Sequence, residues 1–369
     1  MSTNLAERMK KRLPVPYTDS LPDEIKRNLG RWVDRKFHSN GIIEHISESG
    51  EHVFTIKVGG TPNARFSSDT LRKFAGIEDK YGIKALRFTR SGNIEFIADN
   101  LENSMMIKSE VEKMGYRTGG WRNSLWSISS CTAYLSCTTA VVDSPSITKV
   151  LYDNFGKYFE DEESLPAKLR INVSGCPTAC GGLTSDIVVV GHYGDAPSFD
   201  PQKIGLCLPR KAEALKVAVP EVVMVCPVKC ITAFGKEDGS VGINIDRGKC
   251  IACGRCKDVC DYITFDSKKT GISILVGGKS SNTGMGPNLA RVLIPWIPAN
   301  PPNYGELVSV LRKIIDMWKK DGAAGERFAD YVRRIGLKSL QETLEIPVTK
   351  WNNSDFSESQ FGIRQFAQR

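Results

Sequence analysis

The chain has 369 residues, enough for two or three domains, and its 41% hydrophobic and 25% charged content is that of a globular protein, not of a disordered or fibrous one. A net charge of +8, from 50 Lys and Arg against 42 Asp and Glu, is spread without a basic block, which argues against a nucleic-acid-binding protein and suits the holding of small anions or an acidic cofactor. The longest apolar runs, at 187–190 and 272–276, are strand-sized, so no membrane span is expected. The N-terminal MSTNLAERMKKRLPVPY carries charges with no apolar stretch behind them, so no secretory signal is expected and the localisation reads as cytoplasmic. In that compartment the eleven cysteines read as thiols or metal ligands. His38, His45, His52 and His192 form no ligand pattern.

Residues 1–30 read as a charged arm with Pro14, Pro16 and Pro22. Residues 53–58 (VFTIKV) alternate like a strand, and 68–80 follow as a helix with apolar residues at 71, 74, 75 and 77 and an N-cap at Ser68 or Asp69. Strands at 86–89 and 94–98 join through Ser91-Gly92-Asn93, and a helix over 102–114 stops at Gly115. The order strand, helix, strand, strand, helix predicts a ferredoxin-like α+β half-domain of the split-βαβ type over 31–118. A second unit, 119–205 resumed at 269–340, is expected to hold a helix over 146–159 and strands at 169–173, 186–190 and 271–276. Helices over 304–320 and 325–335 complete it. Between its two parts the composition changes abruptly and cysteines crowd, so 206–268 reads as an inserted domain. The polar 341–369 reads as a C-terminal arm that lies on a partner.

Two cysteine constellations carry the chemistry. The run Cys250-Ile-Ala-Cys253-Gly-Arg-Cys256-Lys-Asp-Val-Cys260 spaces three thiolates to wrap three corners of a cubane, with Gly254 easing the turn. In two-cluster ferredoxins the fourth cysteine of each run serves the other cluster and precedes proline. Here Cys260 precedes Asp261, whereas the isolated Cys226 precedes Pro227. The expectation is one [4Fe–4S] cluster on Cys226, Cys250, Cys253 and Cys256, with Cys260 a stranded thiol. A structural zinc site also takes four thiolates, and the clustering of five cysteines favours iron–sulfur over it. The second constellation pairs Cys131-x5-Cys137 with Cys176-x3-Cys180 inside Val173-Ser-Gly-Cys-Pro-Thr-Ala-Cys-Gly-Gly182, enough thiols for another cluster. Gly175, Gly181 and Gly182 would let backbone approach something bulky and flat. Taken alone, this set is also compatible with a zinc knuckle or buried thiol pairs.

The paired C-x5-C and C-x3-C motifs, with S-G-C-P-x-x-C-G-G, resemble the sirohaem/[4Fe–4S] signature of sulfite and nitrite reductases. Leu86-Arg-Phe-Thr-Arg-Ser-Gly-Asn-Ile-Glu-Phe96 resembles that family's arginine-bearing strand pair, and Leu275-Val-Gly-Gly-Lys279 resembles the point where its sirohaem half resumes. A ferredoxin domain between the cysteine loop and that glycine strand is similar to the β subunits of dissimilatory sulfite reductases. The resemblance covers about residues 30–340. It implies an α+β fold of half-domains with an inserted ferredoxin, and two [4Fe–4S] clusters with a sirohaem. Cys131, Cys137, Cys176 and Cys180 would hold the first cluster, Cys180 also bridging it to the sirohaem iron.

Sulfite is an oxyanion and sirohaem carries many carboxylates, so cations must line the pocket. Arg65, Arg87 and Arg90 are the candidates, with Arg122 and Lys211 behind them. By the same resemblance the activity is six-electron reduction of sulfite to sulfide, with electrons entering through the insert. The implied partners are a homologous α subunit in an α2β2 tetramer and a small sulfur-carrier or electron-donor protein. The alternatives are an anaerobic sulfite or nitrite reductase subunit of the same family, or a non-catalytic polyferredoxin.

Overall fold

The computed structural model describes residues 21–180, 182–204, 221–237 and 241–346. The chain divides into two compact units, Met1–Trp121 with Lys157–Glu162, and Arg122–Gly156 with Glu163–Arg369. Among the described residues no helix is long and apolar enough to cross a membrane.

The first unit opens with a short helix α1 (Asp23–Arg27), which lies inside the expected N-terminal arm. Strands β1 (Trp32–Phe37), β2 (Ile42–Ser47) and β3 (His52–Val58) follow, then helix α2 (Ser68–Tyr81), strands β4 (Leu86–Phe88) and β5 (Ile94–Ala98), and helix α3 (Leu101–Lys113). The five strands form one antiparallel sheet in the order β1-β2-β3-β5-β4. The run β3-α2-β4-β5-α3 is the split-βαβ arrangement, and the hairpin β1-β2 occupies the edge where a fourth strand of that motif would lie. Alternation decides the buried face: Phe54, Ile56 and Val58 meet Phe74 of α2 and Ile107 and Val111 of α3. Phe74 packs edge-on to Phe96 with ring centroids 5.5 Å apart, so Phe74→Ala would cost about 3–5 kcal/mol. Helix α2 is capped by Ser67, whose side chain accepts from the Thr70 N–H at 3.0 Å, and not by Ser68 or Asp69. Ser67 has the extended backbone that a cap requires, while Ser68 is already helical.

The second unit is built on a five-stranded sheet in the order β14-β13-β8-β7-β6. Its elements are β6 (Leu125–Ser130), α4 (Ser144–Phe155), β7 (Leu169–Ser174), β8 (Ile187–Tyr193), β9 (Ser198–Phe199), α5 (Glu221–Val225), β10 (Ile231–Gly235) and β11 (Val241–Ile245). They continue with α6 (Arg255–Val259), β12 (Ile263–Thr264), β13 (Thr270–Val276), β14 (Arg291–Pro298), α7 (Gly305–Asp321), α8 (Phe328–Ile335) and α9 (Leu337–Thr343). Strands β6, β7 and β8 run parallel, whereas β13 is antiparallel to β8 and β14 to β13. Strand β8 is buried along its whole length, as a central strand covered on both faces must be, which explains its unbroken apolar run.

Helix α4 starts at Asp143, whose side chain accepts from the Ser146 N–H at 3.1 Å, and buries Ile147, Leu151 and Phe155 at four-residue spacing. The helix expected over 146–159 breaks at Gly156, the cap of α4, and a single helical turn follows at Lys157–Glu160.

Chain order and strand direction together place the loops. The carboxyl ends of β6 and β7 lie at one edge of the sheet, and β8 ends there as well. Strand β13 starts at the same edge, with Thr270 opposite Tyr193. The segment between β8 and β13 therefore leaves and rejoins the sheet at one point. Its core of Ile204, Val222, Ile231, Ile243 and Ile263, with Cys226, Cys230, Cys256 and Cys260, is its own.

Candidate metal centres

Both cysteine sets belong to the second unit and sit on loops that spring from one edge of its sheet. Cys131 and Cys137 follow β6, and Cys176 and Cys180 follow β7. Two contacts hold these loops against each other. The Gly175 N–H donates to Cys131 Sγ at 3.1 Å, and a Cβ at Gly175 would fall 2.9 Å from Ala133 Cβ, so only glycine permits that approach. The Thr139 hydroxyl lies 3.1 Å from Cys137 Sγ and 3.6 Å from Cys176 Sγ, joining the two pairs. Burial pushes the Cys180 thiol up, and Cys176, Cys131 and Cys137 push it further, so all four sulfurs share one electrostatic neighbourhood. Cys176 is buried, whereas Cys137 and Cys180 face outward.

In the insert, Cys226, Cys230, Cys250, Cys253 and Cys256 line one small, apolar-walled cavity. Cys226 and Cys230 stand with their sulfurs 3.4 Å apart. Burial, reinforced by neighbouring thiols, drives Cys253 up to about 11 and Cys256 up to about 12. Thiols packed this way in apolar surroundings stay protonated unless a cation takes the proton's place. Backbone N–H groups point at two of the sulfurs, Cys230 N–H to Cys226 Sγ at 3.3 Å and Ala252 N–H to Cys250 Sγ at 3.4 Å. Such donors stabilise thiolate charge and tune cluster potentials.

A backbone feature common to all four cysteine loops is absent from any motif. Ala133, Ala179, Lys229 and Ala252 each lie between two cysteines and each adopts a positive φ, of 36°, 49°, 51° and 48°. A left-handed non-glycine residue costs about 1–2 kcal/mol, so its recurrence in every such loop marks turns curled for a purpose. Sequence reasoning missed these four residues, because nothing in an alanine or lysine announces the left-handed region.

Among the described residues no three His, Cys, Asp or Glu side chains converge as ligands of a single metal ion would. Sets of four thiols with backbone N–H donors aimed at their sulfurs are a donor set that suits an iron–sulfur cluster.

Comparison with known proteins agrees. The family described as nitrite and sulphite reductase 4Fe-4S domain matches residues 121–351, and the nitrite/sulfite reductase ferredoxin-like half domain matches residues 45–114. The chain belongs to the nitrite and sulfite reductase family. The "Sulfite reductase, dissimilatory-type subunit beta" of Archaeoglobus fulgidus is 30% identical, over 96% of this chain and 95% of its own. The dissimilatory-type subunit alpha of Allochromatium vinosum is 26% identical, over 84% and 75%. Among solved structures, the crystal structure of dissimilatory sulfite reductase I superposes with a TM-score of 0.77 at 21% identity, covering 95% of this chain and 86% of that one.

Within this family framework the expected basic residues occupy different environments. Arg65, Arg87 and Arg90 belong to the first unit and are exposed. The Arg87 guanidinium pairs with the buried carboxylate of Glu95 across the β4–β5 hairpin. Arg122, in the second unit, pairs with Glu163 and sits at φ 50°. Gly182 packs against the Asn172 side chain, so its missing Cβ serves an internal contact. Gly181, Lys211 and Cys207 lie outside the described residues.

Lys279, where the family resemblance resumes after the insert, is buried and binds both Asp330 oxygens, at 2.9 and 2.6 Å. One expectation is corrected: Cys260 is held in a disulfide and is not a stranded thiol. It is buried in the insert's core, and a sulfur so bonded cannot serve as a thiolate ligand.

Proposed function

We propose that the chain is the β-type subunit of a dissimilatory sulfite reductase, reducing sulfite to sulfide. The supporting observation is that two sets of cysteines, each sufficient for a cubane, stand on loops at the same sheet edge. Cys131, Cys137, Cys176 and Cys180 would hold one [4Fe–4S] cluster, and Cys226, Cys250, Cys253 and Cys256 the other. Cys180, outward-facing beside the buried Cys176, is suited to share its sulfur with a sirohaem iron.

Sirohaem coupled to a cluster supplies the redox chemistry, the six-electron reduction of hydrogen sulfite to hydrogen sulfide ion and three waters. The chain's own residues ligate, orient and exclude water. The N–H donors of Gly175 and Ala252 stabilise thiolate charge. Tyr134 and Leu135, exposed at 62% and 51% in the loop between Cys131 and Cys137, offer apolar surface for a macrocycle or a partner to cover. Arg65, Arg87 and Arg90 are proposed to supply positive charge for substrate and cofactor carboxylates.

The similarity to both beta and alpha dissimilatory-type subunits supports assembly with a homologous α subunit as an α2β2 tetramer. A cytoplasmic location and an electron-donor or sulfur-carrier protein partner complete the reading.

The test is an absorption spectrum and iron and acid-labile sulfide analysis of the chain purified anaerobically with its partner. Sharp sirohaem bands, iron of at least two cubanes plus one haem per αβ pair and sulfite-dependent oxidation of a reduced dye are expected. Cluster absorption alone, without sirohaem or turnover, would instead make it an electron-transfer polyferredoxin.

A further inference from the structure

Three consecutive residues at the end of β8 touch both cysteine sets. Gly191 packs against the carbonyl of Gly175, the residue before Cys176, so tightly that any Cβ there would collide with it. His192 is buried and its Nε2 lies 3.0 Å from the carbonyl oxygen of Ile251, between Cys250 and Cys253. A carbonyl only accepts, so Nε2 carries the proton and donates; burial lowers the ring's pKa to about 4 and keeps it neutral. The Tyr193 ring stacks on Phe265 with centroids 3.9 Å apart and planes 16° apart. A Cβ at Gly254, between Cys253 and Cys256, would fall 3.0 Å from the Tyr193 ring. The Tyr193 hydroxyl is pushed up by burial and further by Asp258, Tyr134, Cys256 and Cys176, one thiol from each set among them. Nothing in the ligand motifs requires an aromatic residue here, yet the ring stacks on Phe265 and reaches Gly254 beside the second set, two residues after Gly191 meets the first.

We propose that Tyr193, packed against Phe265 and Gly254, is the positioning residue of the electron path between the two cysteine sets. The inference rests on the reading that each set holds a cluster. In the step concerned, one electron leaves the centre on Cys226, Cys250, Cys253 and Cys256, which is oxidised by one unit. It arrives at the centre on Cys131, Cys137, Cys176 and Cys180, which is reduced by one unit. No bond forms or breaks and no proton moves; a reduced one-electron donor protein refills the first centre. Tyr193 contributes packed atoms and a fixed separation.

The experiment uses the holoenzyme complex carrying Tyr193→Phe and Tyr193→Leu. Iron and sulfide content and the EPR signals of each reduced cluster are measured first, then the rate of electron equilibration between clusters after rapid photoreduction. Tyr193→Phe is expected to match the parent. Tyr193→Leu is expected to keep both cluster signals and slow the equilibration roughly tenfold, as a distance-sensitive step does when its packing loosens. Should the leucine variant fail to accumulate, Phe265→Leu, which frees the ring to turn, is read in the same way. An unchanged rate with both clusters intact overturns the inference, as does loss of a cluster in the leucine variant with rescue of content but not rate in the phenylalanine one. A parent complex with fewer than two clusters overturns the functional reading itself, a result distinguishable from either.

Discussion

Arg327 and Asp186, 141 residues apart, meet in the interior of the second unit, where Arg327 Nη2 donates to both carboxylate oxygens at 2.8 and 2.9 Å. The Arg170 N–H donates to the same carboxylate at 2.9 Å, so Asp186 ties the start of β8 to β7 and to the residue that opens α8. Asp186 is fully buried; burial raises its pKa, and Arg327 opposes that rise. Removing one member of such a pair strands the other charge. Asp186→Asn is expected to destabilise the chain by on the order of 3–5 kcal/mol, read from the urea midpoint. Adding Arg327→Met should recover part of that loss. A single variant within 1 kcal/mol of the parent, on the order of a surface change, would show that the pair is not a determinant of stability.

Glu78 makes a pH prediction in the first unit. Its carboxyl is buried under the end of α2, accepts from the Ala85 N–H at 3.1 Å, and is raised by desolvation to about 7 from 4.5. The folded state therefore binds the proton more tightly than the unfolded state. That contribution is fully present below pH 4.5 and is lost as pH rises through 7. The change amounts to at most about 3 kcal/mol, less to the extent that water reaches the group. Glu78→Gln should flatten this part of the stability profile; an unaltered slope would place the titration elsewhere.

In the insert, Cys226→Ala should eliminate the cluster signal, whereas Cys230→Ala should leave iron content nearly intact. The two sulfurs stand 3.4 Å apart on one cavity, so geometry admits either, and Pro227 selects Cys226. Cys260→Ala should retain iron, because its sulfur is committed to a disulfide. Iron analysis with EPR decides; an essential Cys260 would mean that the contiguous run supplies all four ligands.

Cys180→Ser is expected to abolish sulfite turnover, while Cys207→Ser leaves it close to the parent's, since only Cys180 closes the first thiol set. Sirohaem absorbance, cluster EPR and rate are measured together. A Cys180 variant that keeps all three would remove the shared-sulfur assignment.

The arginines separate by partner. Arg87 is paired with buried Glu95, so Arg87→Ala should lower stability as well as activity. Arg65 and Arg90 take part in none of the ion pairs recorded among the described residues. Substituting either by Ala should raise the KM for sulfite about tenfold with an unchanged melting temperature, as expected for loss of one charge-assisted contact. Unchanged KM values would assign them to solvated surface.

Much of this was legible in the residues. Strand periodicity gave β3, β5, β7, β8 and β13 to within a few residues, because their buried faces impose either strict alternation or an unbroken apolar run. Three of the four edge strands of the five-stranded sheets escaped that reading, β4 being the exception: β1 buries none of its six residues fully, and β6 (LWSISS) and β14 (RVLIPWIP) are broken by serines and prolines that edges tolerate. Cysteine spacing, the Cys-Pro dipeptide and the flanking glycines by themselves picked out the candidate ligands, and the resemblance they carry named the family, since ligand number and local reach are properties of sequence. Only the tertiary structure decided where that chemistry sits. The parallel directions of β6, β7 and β8 bring loops 40 residues and more apart in sequence to one sheet edge, and left-handed alanines curl them. Tyr193, Phe265 and Gly254 become neighbours only after β8 and β13 pair, because contacts between distant segments are fixed by packing and not by any local pattern.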